Sequence, residues 1–259
     1  MDRRREPLPT RVQDTPPLPE AYHDALRRGL AEVGIELVPD AQAAIEGHVR
    51  LLLAWTSAIN LTAIREPAAV ALGHVVDSLS ALPLLRDRAP RHLLDLGSGG
   101  GFPGLPLAAA LAEVDVTLLE PVGKKARFLE TAADATGLAD RITVAALRAE
   151  EVAHDPARRG AWDIVTARAV GSAANLVELG FPLLAPGGAL VAWKRGDIRA
   201  ELDAAALAVD ALGGGTLDVV DVEVRALNEH RLVVAQRSAH GRVPDAYPRD
   251  PSQRRRRPW

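Results

Sequence analysis

A chain of 259 residues, 47% of them hydrophobic, is long enough to enclose one large core with appendages. Its formal net charge of −3 excludes a surface that is basic throughout. The absence of cysteine excludes disulfides, thiolate metal sites and cysteine nucleophiles.

Residues 1–19 carry five prolines and many charges, which predicts a disordered lead. Helical spacing of apolar residues follows over 20–33 (Leu26, Leu30, Val33) and over 40–59 (Ile45, Val49, Leu52, Leu53, Ile59), with Asp40 as a candidate cap. A third helix is expected over 67–82, starting at Pro67, after a loop at 60–65. Residues 20–85 therefore read as a helical extension.

Strands and helices then alternate. Strands are expected at 92–96, 115–120, 141–145, 162–167, 188–194, 217–225 and 230–236, with helices at 103–112, 123–136, 172–184 and 197–210. Alternation predicts a mainly parallel seven-stranded sheet covered on both faces, spanning 86–238. The last two strands have no helix between them and should pair antiparallel. Residues 239–259 hold four prolines and six arginines and read as a flexible basic tail.

The most informative stretch is 91–104, Arg-His-Leu-Leu-Asp-Leu-Gly-Ser-Gly-Gly-Gly-Phe-Pro-Gly. An apolar strand ends in Asp95, a glycine turn follows, and a helix starts near Pro103. Glycine admits positive φ and lets a ligand lie against bare backbone, while a helix N-terminus presents free N–H groups. Such a loop at the carboxyl end of a strand suits a nucleotide-like ligand. Gly99, Gly101 and Gly104 satisfy the dinucleotide pattern G-x-G-x-x-G, whereas Asp95, Gly97, Gly99 and Gly101 satisfy D-x-G-x-G-x-G, a pattern that resembles the first motif of S-adenosylmethionine (SAM) methyltransferases. An acid beside a pyrophosphate would be repulsive, so Asp95 tilts the reading toward SAM over NAD. Glu120, closing the next strand, is placed to accept from ribose hydroxyls of either ligand.

Further segments occur in order: Asn60-Leu61-Thr62, His74-x-x-Asp77-Ser78, the Asp95–Pro106 loop and Glu120-x-x-x-Lys124-Lys125-x-x-Phe128-Leu129. Arg148-Ala149-Glu150-Glu151, Thr166-Ala167-Arg168-Ala169 and Ala192-Trp193-Lys194 follow. Over about residues 22 to 237 the set resembles the RsmG (GidB) family of bacterial methyltransferases, which modify N7 of a guanine in 16S ribosomal RNA. Lys194-Arg195-Gly196 departs from that family's Lys-Gly by one inserted residue. The resemblance implies a Rossmann-like class I SAM-dependent methyltransferase fold, SAM as cofactor, and 16S rRNA or the small ribosomal subunit as partner. It assigns cofactor contacts to Gly97, Phe102, Ala149, Glu150 and Arg168, beside Gly99 and Glu120 from the loop pattern. Asn60, His74, Lys124, Arg148, Lys194 and Arg231 are the candidates for the RNA side.

Guanine N7 is an exposed lone pair that needs no deprotonation before it attacks a sulfonium methyl, so no catalytic base is expected. The segment Ala167-Arg168-Ala169 stands where amino-nitrogen methyltransferases carry Asn-Pro-Pro-Tyr or Asp-Pro-Pro-Tyr. Two other readings share the fold: a SAM-dependent enzyme with a small-molecule substrate, and a non-catalytic RNA-binding module. No apolar run reaches the ~18 residues of a membrane span. The charged start leads into prolines rather than an apolar signal core, and the seven histidines show no metal-ligand spacing. A cytoplasmic protein without membrane or metal partners is expected.

Overall fold

A computed structural model describes residues 7–259. Its centre is a seven-stranded sheet in the order β3-β2-β1-β4-β5-β7-β6. The strands are β1 (His92–Leu96), β2 (Asp115–Leu119), β3 (Ile142–Ala145), β4 (Trp162–Arg168), β5 (Leu184–Arg195), β6 (Gly215–Asp221) and β7 (His230–Arg237). The first five run parallel, and β7 inserts antiparallel between β5 and β6. The α/β class and the antiparallel final pair are as expected. Strand β6 starts two residues earlier than expected because Gly215 lies flat against its neighbour: a Cβ there would meet Gln236 O at 1.9 Å.

Side-chain alternation assigns the two faces. Leu93, Val116, Leu118, Ile164, Val191 and Trp193 point to one core, and Leu94, Leu96, Val165, Ala167, Leu190 and Ala192 to the other. The first face is covered by α1 (Glu20–Glu32), α2 (Pro39–Ile59), α6 (Gly104–Ala110) and α7 (Gly123–Ala135). The second is covered by α8 (Ala149–His154), α9 (Ala173–Gly180) and α10 (Arg199–Ala211). In α2 the first helical residue is Pro39, so Asp40 sits in the first turn rather than at the cap.

The segment expected as one helix over 67–82 is α3 (Pro67–Val70), a wider π turn at Ala71–Val76, α4 (Asp77–Leu79) and α5 (Leu82–Arg88). An 18-residue window of this 22-residue stretch, interrupted by His74 and Asp77, has a mean hydropathy of 1.6, enough by length and composition to cross a bilayer. More than half of it, 56%, is buried inside the protein, and its polar residues join the network described below.

Both terminal expectations need correction. Residues 1–6 of the lead lie outside the described residues, but 7–19 pack on α2. Proline-rich backbone lacks donors but still offers carbonyls, and α2 supplies the donors: Trp55 Nε1 to Pro9 O at 2.7 Å, and Arg50 Nε to Pro16 O and Nη2 to Val12 O, both at 3.0 Å. Leu18 and Thr15 are buried beneath. The basic tail is likewise docked. It ends in α11 (Pro251–Arg256), and Arg249 is held by Glu178 of α9, a carboxylate with 0% exposure. A buried acid demands compensating donors, and residues 249–259 provide them.

Candidate functional site

The glycine loop sits at the carboxyl ends of β1 and β4. Its shape follows from backbone requirements: Gly97, Gly99 and Gly101 have φ of +74°, +55° and +89°. Gly97 N and Ser98 N donate to Leu119 O (2.8 and 3.1 Å), tying the turn to β2. Gly99 N donates to Glu120 Oε2 at 2.9 Å, and Val122 N to Glu120 Oε1 at 2.9 Å. Glu120 is therefore a brace across the β1 and β2 turns as well as a strand-end acid. Gly104 lets α6 approach closely, since a Cβ there would meet Leu118 Cδ2 at 2.3 Å and Asp95 Oδ2 at 2.8 Å.

Asp95 is fully buried between the sheet and α6. It accepts from Thr166 Oγ1 (2.9 Å), its register partner on β4, and from Gly104 N (3.2 Å). Burial pushes its carboxyl up to about 6, against the pull of hydrogen bonds from Ser98, Thr166 and Gly104. Asp95 thus ties the end of β1 to β4 and to the start of α6.

Next to the loop, side chains from several separate segments close on one another. Arg168 at the end of β4 donates through Nη1 to Asp77 Oδ2 and Gly73 O, both at 2.9 Å, and through Nη2 to His74 Nδ1 at 2.7 Å. Because an arginine only donates, His74 Nδ1 is the acceptor and its Nε2–H donates to Thr62 Oγ1 (2.7 Å). His230 Nδ1 reaches Asp77 Oδ1 at 3.0 Å, and Trp193 Nε1 donates to Asp77 O at 2.6 Å. Phe102 is stacked against His74 (4.8 Å between centroids), tilted against His48 (4.6 Å), and covered by the Arg168 guanidinium at 5.4 Å. Its ring is a buried wall of the site rather than an exposed edge.

His48 of α2 was not singled out from the sequence, nor was His230. His48 sits among the apolar positions of α2, and its Nε2–H donates to Gly100 O at 2.7 Å, fixing the glycine loop from below. Its Nδ1 is buried with no partner. Burial lowers His48 to about 4. His74 also falls to about 4, first from burial and then from Arg168.

These shifts predict an acid-sensitive fold. Between pH 6.5 and about 4 the unfolded chain protonates both histidines while the folded chain does not, so stability falls as pH is lowered. Asp95 acts oppositely, because its raised value favours the folded state below about pH 6. With two groups against one, going from pH 7 to 5 should cost about 2 kcal/mol, measured by urea unfolding. His48→Gln keeps a donor for Gly100 O and should reduce that loss to below about 1 kcal/mol.

The remaining candidates divide. Lys124, Arg148 and Asn60 are exposed around the strand ends. Ala149 and Glu150 open α8 directly after β3, with Ala149 buried. Lys194 does not face outward as expected: its side chain is 10% exposed and its ammonium lies 2.7 Å from Glu201, with Gly171 O as a further acceptor. Arg231, its register partner on β7, bonds Asp221 at 2.9 Å and Gly196 O. Both brace loops at the rim rather than offering free cations.

The glycine-lined strand end, the acid closing β2 and the helix start after β3 offer donors and acceptors that could hold an adenosine-bearing ligand. Gly97 and Gly99 leave a cradle that side chains would fill, with Val170 as its opposite wall: a Cβ on Gly97 would lie 2.9 Å from Val170 Cγ2.

Comparison with known proteins adds to this geometry. A family profile described as rRNA small subunit methyltransferase G (GidB) matches residues 41–230. Ribosomal RNA small subunit methyltransferase G of Dehalococcoides mccartyi strain CBDB1 is 40% identical over 222 residues, 85% of this chain and 93% of that one. The protein of the same description from Roseiflexus castenholzii is 43% identical over 198 residues, 76% and 83% of the two chains. Among solved structures, an O-methyltransferase from Bacillus cereus in complex with SAH aligns with a TM-score of 0.54 at 16% identity, covering 80% of this chain and 95% of that one. The last likeness concerns the fold alone.

Proposed function

The chain belongs to the GidB family of small-subunit ribosomal RNA methyltransferases, and from that premise we propose that it methylates N7 of a guanine in 16S rRNA, in the cytoplasm. It is a SAM-dependent enzyme. Bound SAM supplies an electrophilic methyl group. Gly97 and Gly99 hold the cofactor against bare backbone, Glu120 receives its ribose, and Ala149 with Glu150 flanks its adenine. Arg168 acts on the cofactor side through the wall it builds with Phe102 and His74. Asn60, Lys124 and Arg148 meet the RNA, where exposed guanidinium and ammonium groups suit phosphates and stacked bases. Lys194 and Arg231 serve it from behind, by holding the 171 and 196 loops.

The observation that carries the N7 reading is the state of the acids and imidazoles at the strand ends. Asp95 is bound by Thr166 and Gly104 N, Asp77 by Arg168 and His230, and His74 Nδ1 by Arg168. Each of these three groups is committed to a donor inside the protein, so none of the three is set to take a substrate proton. A nucleophile that carries its own lone pair fits such a site, and alignment and exclusion of water are then the protein's contribution.

Single-turnover methylation of small subunits lacking the modification, followed from pH 6 to 9 with nucleoside analysis, tests this. The expected product is 7-methylguanosine, at a rate without a titration attributable to a protein base. Methyl on an exocyclic amine, or a steep rise governed by one protein group, would overturn it.

A further inference from the structure

The family profile ends at residue 230, yet the chain continues into an ordered segment that reaches back to the proposed adenine side. Its anchor is Glu178, which faces the core from α9. Arg249 donates to it from its backbone N (2.8 Å), Nε (3.0 Å) and Nη2 (2.6 Å), and Trp259 Nε1 adds a fourth bond at 2.6 Å. The Arg249 guanidinium lies 4.8 Å from the Trp259 ring centroid and 5.7 Å from that of Tyr247, and Arg249 Nη1 donates to Arg257 O at 2.9 Å. Arg159 fastens the approach to this anchor, donating to Tyr247 O at 2.9 Å and Pro244 O at 3.0 Å.

Between the anchor points runs α11, capped by Asp250, whose Oδ1 accepts from Ser252 N and Gln253 N (2.8 and 2.9 Å). Arg254 projects from it. Its Nη1 donates to Arg249 O at 2.9 Å, which orients the guanidinium, and its Nη2 donates to Glu150 Oε1. The pair is largely shielded, with the two side chains 12% and 17% exposed. Glu150 Oε2 accepts nothing from the described residues. One carboxylate oxygen is thus taken by the tail while the other is left available.

We infer that Arg254 is a positioning residue for the cofactor site: it fixes the Glu150 carboxylate so that its free oxygen can accept from the exocyclic amine of adenine. The inference rests on the reading that places Glu150 at the cofactor. A long glutamate side chain in the first turn of a helix samples several rotamers, and a charge-assisted bond to a fixed guanidinium removes that freedom before the ligand arrives. The docked tail is therefore part of the cofactor site, whereas a solvated basic extension would leave that site indifferent to it.

Calorimetric titration of the full-length protein with S-adenosylhomocysteine tests this, using Arg254→Ala, Arg254→Lys, Glu150→Gln and the double variant Glu150→Gln/Arg254→Ala. Arg254→Ala should weaken binding about 10-fold, with partial rescue by Arg254→Lys. The double variant should bind no worse than Glu150→Gln alone. In turnover, Arg254→Ala should raise KM for SAM with kcat retained, a split that general loosening of the fold would not produce. If Glu150→Gln weakens binding and Arg254→Ala does not, the positioning role is wrong while the cofactor reading stands. If Glu150→Gln binds like the parent, the placement of Glu150 at the cofactor fails, and the role of Arg254 fails with it.

Discussion

Asp77→Ala should lower the unfolding free energy by about 3–5 kcal/mol, the range for removing one partner of a buried ion pair. Asp77 is buried, and it is the only carboxylate bonded to Arg168 among the described residues. Its loss leaves a guanidinium in the interior with Gly73 O and His74 Nδ1 as its remaining acceptors, and it also strands His230 Nδ1. Asp77→Asn keeps an acceptor for Arg168 and a similar shape, and should cost roughly 1–2 kcal/mol. Urea unfolding followed by circular dichroism separates the two. Methyl transfer should fall in the same order, because Arg168 and His74 together hold Phe102 against the glycine loop. Equal losses in the Ala and Asn variants would show that the charge of Asp77, and not an acceptor alone, holds Arg168, whereas an Ala variant as stable as the parent would show that Asp77 does not hold it.

The central strand, the loop and the sheet were legible because their signals are local. Apolar runs between helical patterns mark parallel strands, and glycines between Asp95 and Gly104 are needed wherever the chain turns with positive φ or α6 touches the sheet. What the sequence hid depends on partners far apart in the chain. Proline and charge in residues 7–19 signal disorder only until Arg50 and Trp55 are seen to supply the donors. The tail reads as a solvated arginine run, and the signal that contradicts it is a glutamate on the apolar face of α9, 71 residues away from Arg249.

The site shows the same division. Gly97, Gly99 and Glu120 lie where their spacing puts them. The ends of Arg168, Lys194 and Arg231 do not follow from spacing, because each basic head is satisfied by an acid or carbonyl inside the protein. Spacing places a residue at a strand end and leaves open which way its side chain turns. His48 was invisible for a related reason. A histidine among Ile45, Val49 and Leu52 looks like an imperfection in an apolar stripe until Gly100 O is found beside it.

The cradle itself yields the largest expected effect on binding. Gly97→Val should reduce S-adenosylhomocysteine affinity by more than about 100-fold, equivalent to some 2.7 kcal/mol. Two costs combine. Gly97 has a φ of +74°, where a β-branched residue is a genuine outlier, and its new Cβ would sit 2.9 Å from Val170 Cγ2. Relief of either strain moves the loop that Gly97 N and Ser98 N pin to Leu119 O, and with it the backbone proposed to carry the cofactor. Strain at one such residue is of order 1–3 kcal/mol, so a domain with two large cores should remain folded with a lower Tm. Gly97→Asn separates conformation from bulk, since asparagine tolerates positive φ and adds only the steric conflict. The expected affinity order is parent, then Asn, then Val. A folded Gly97→Val protein that binds S-adenosylhomocysteine as the parent does would remove the glycine loop from the cofactor site.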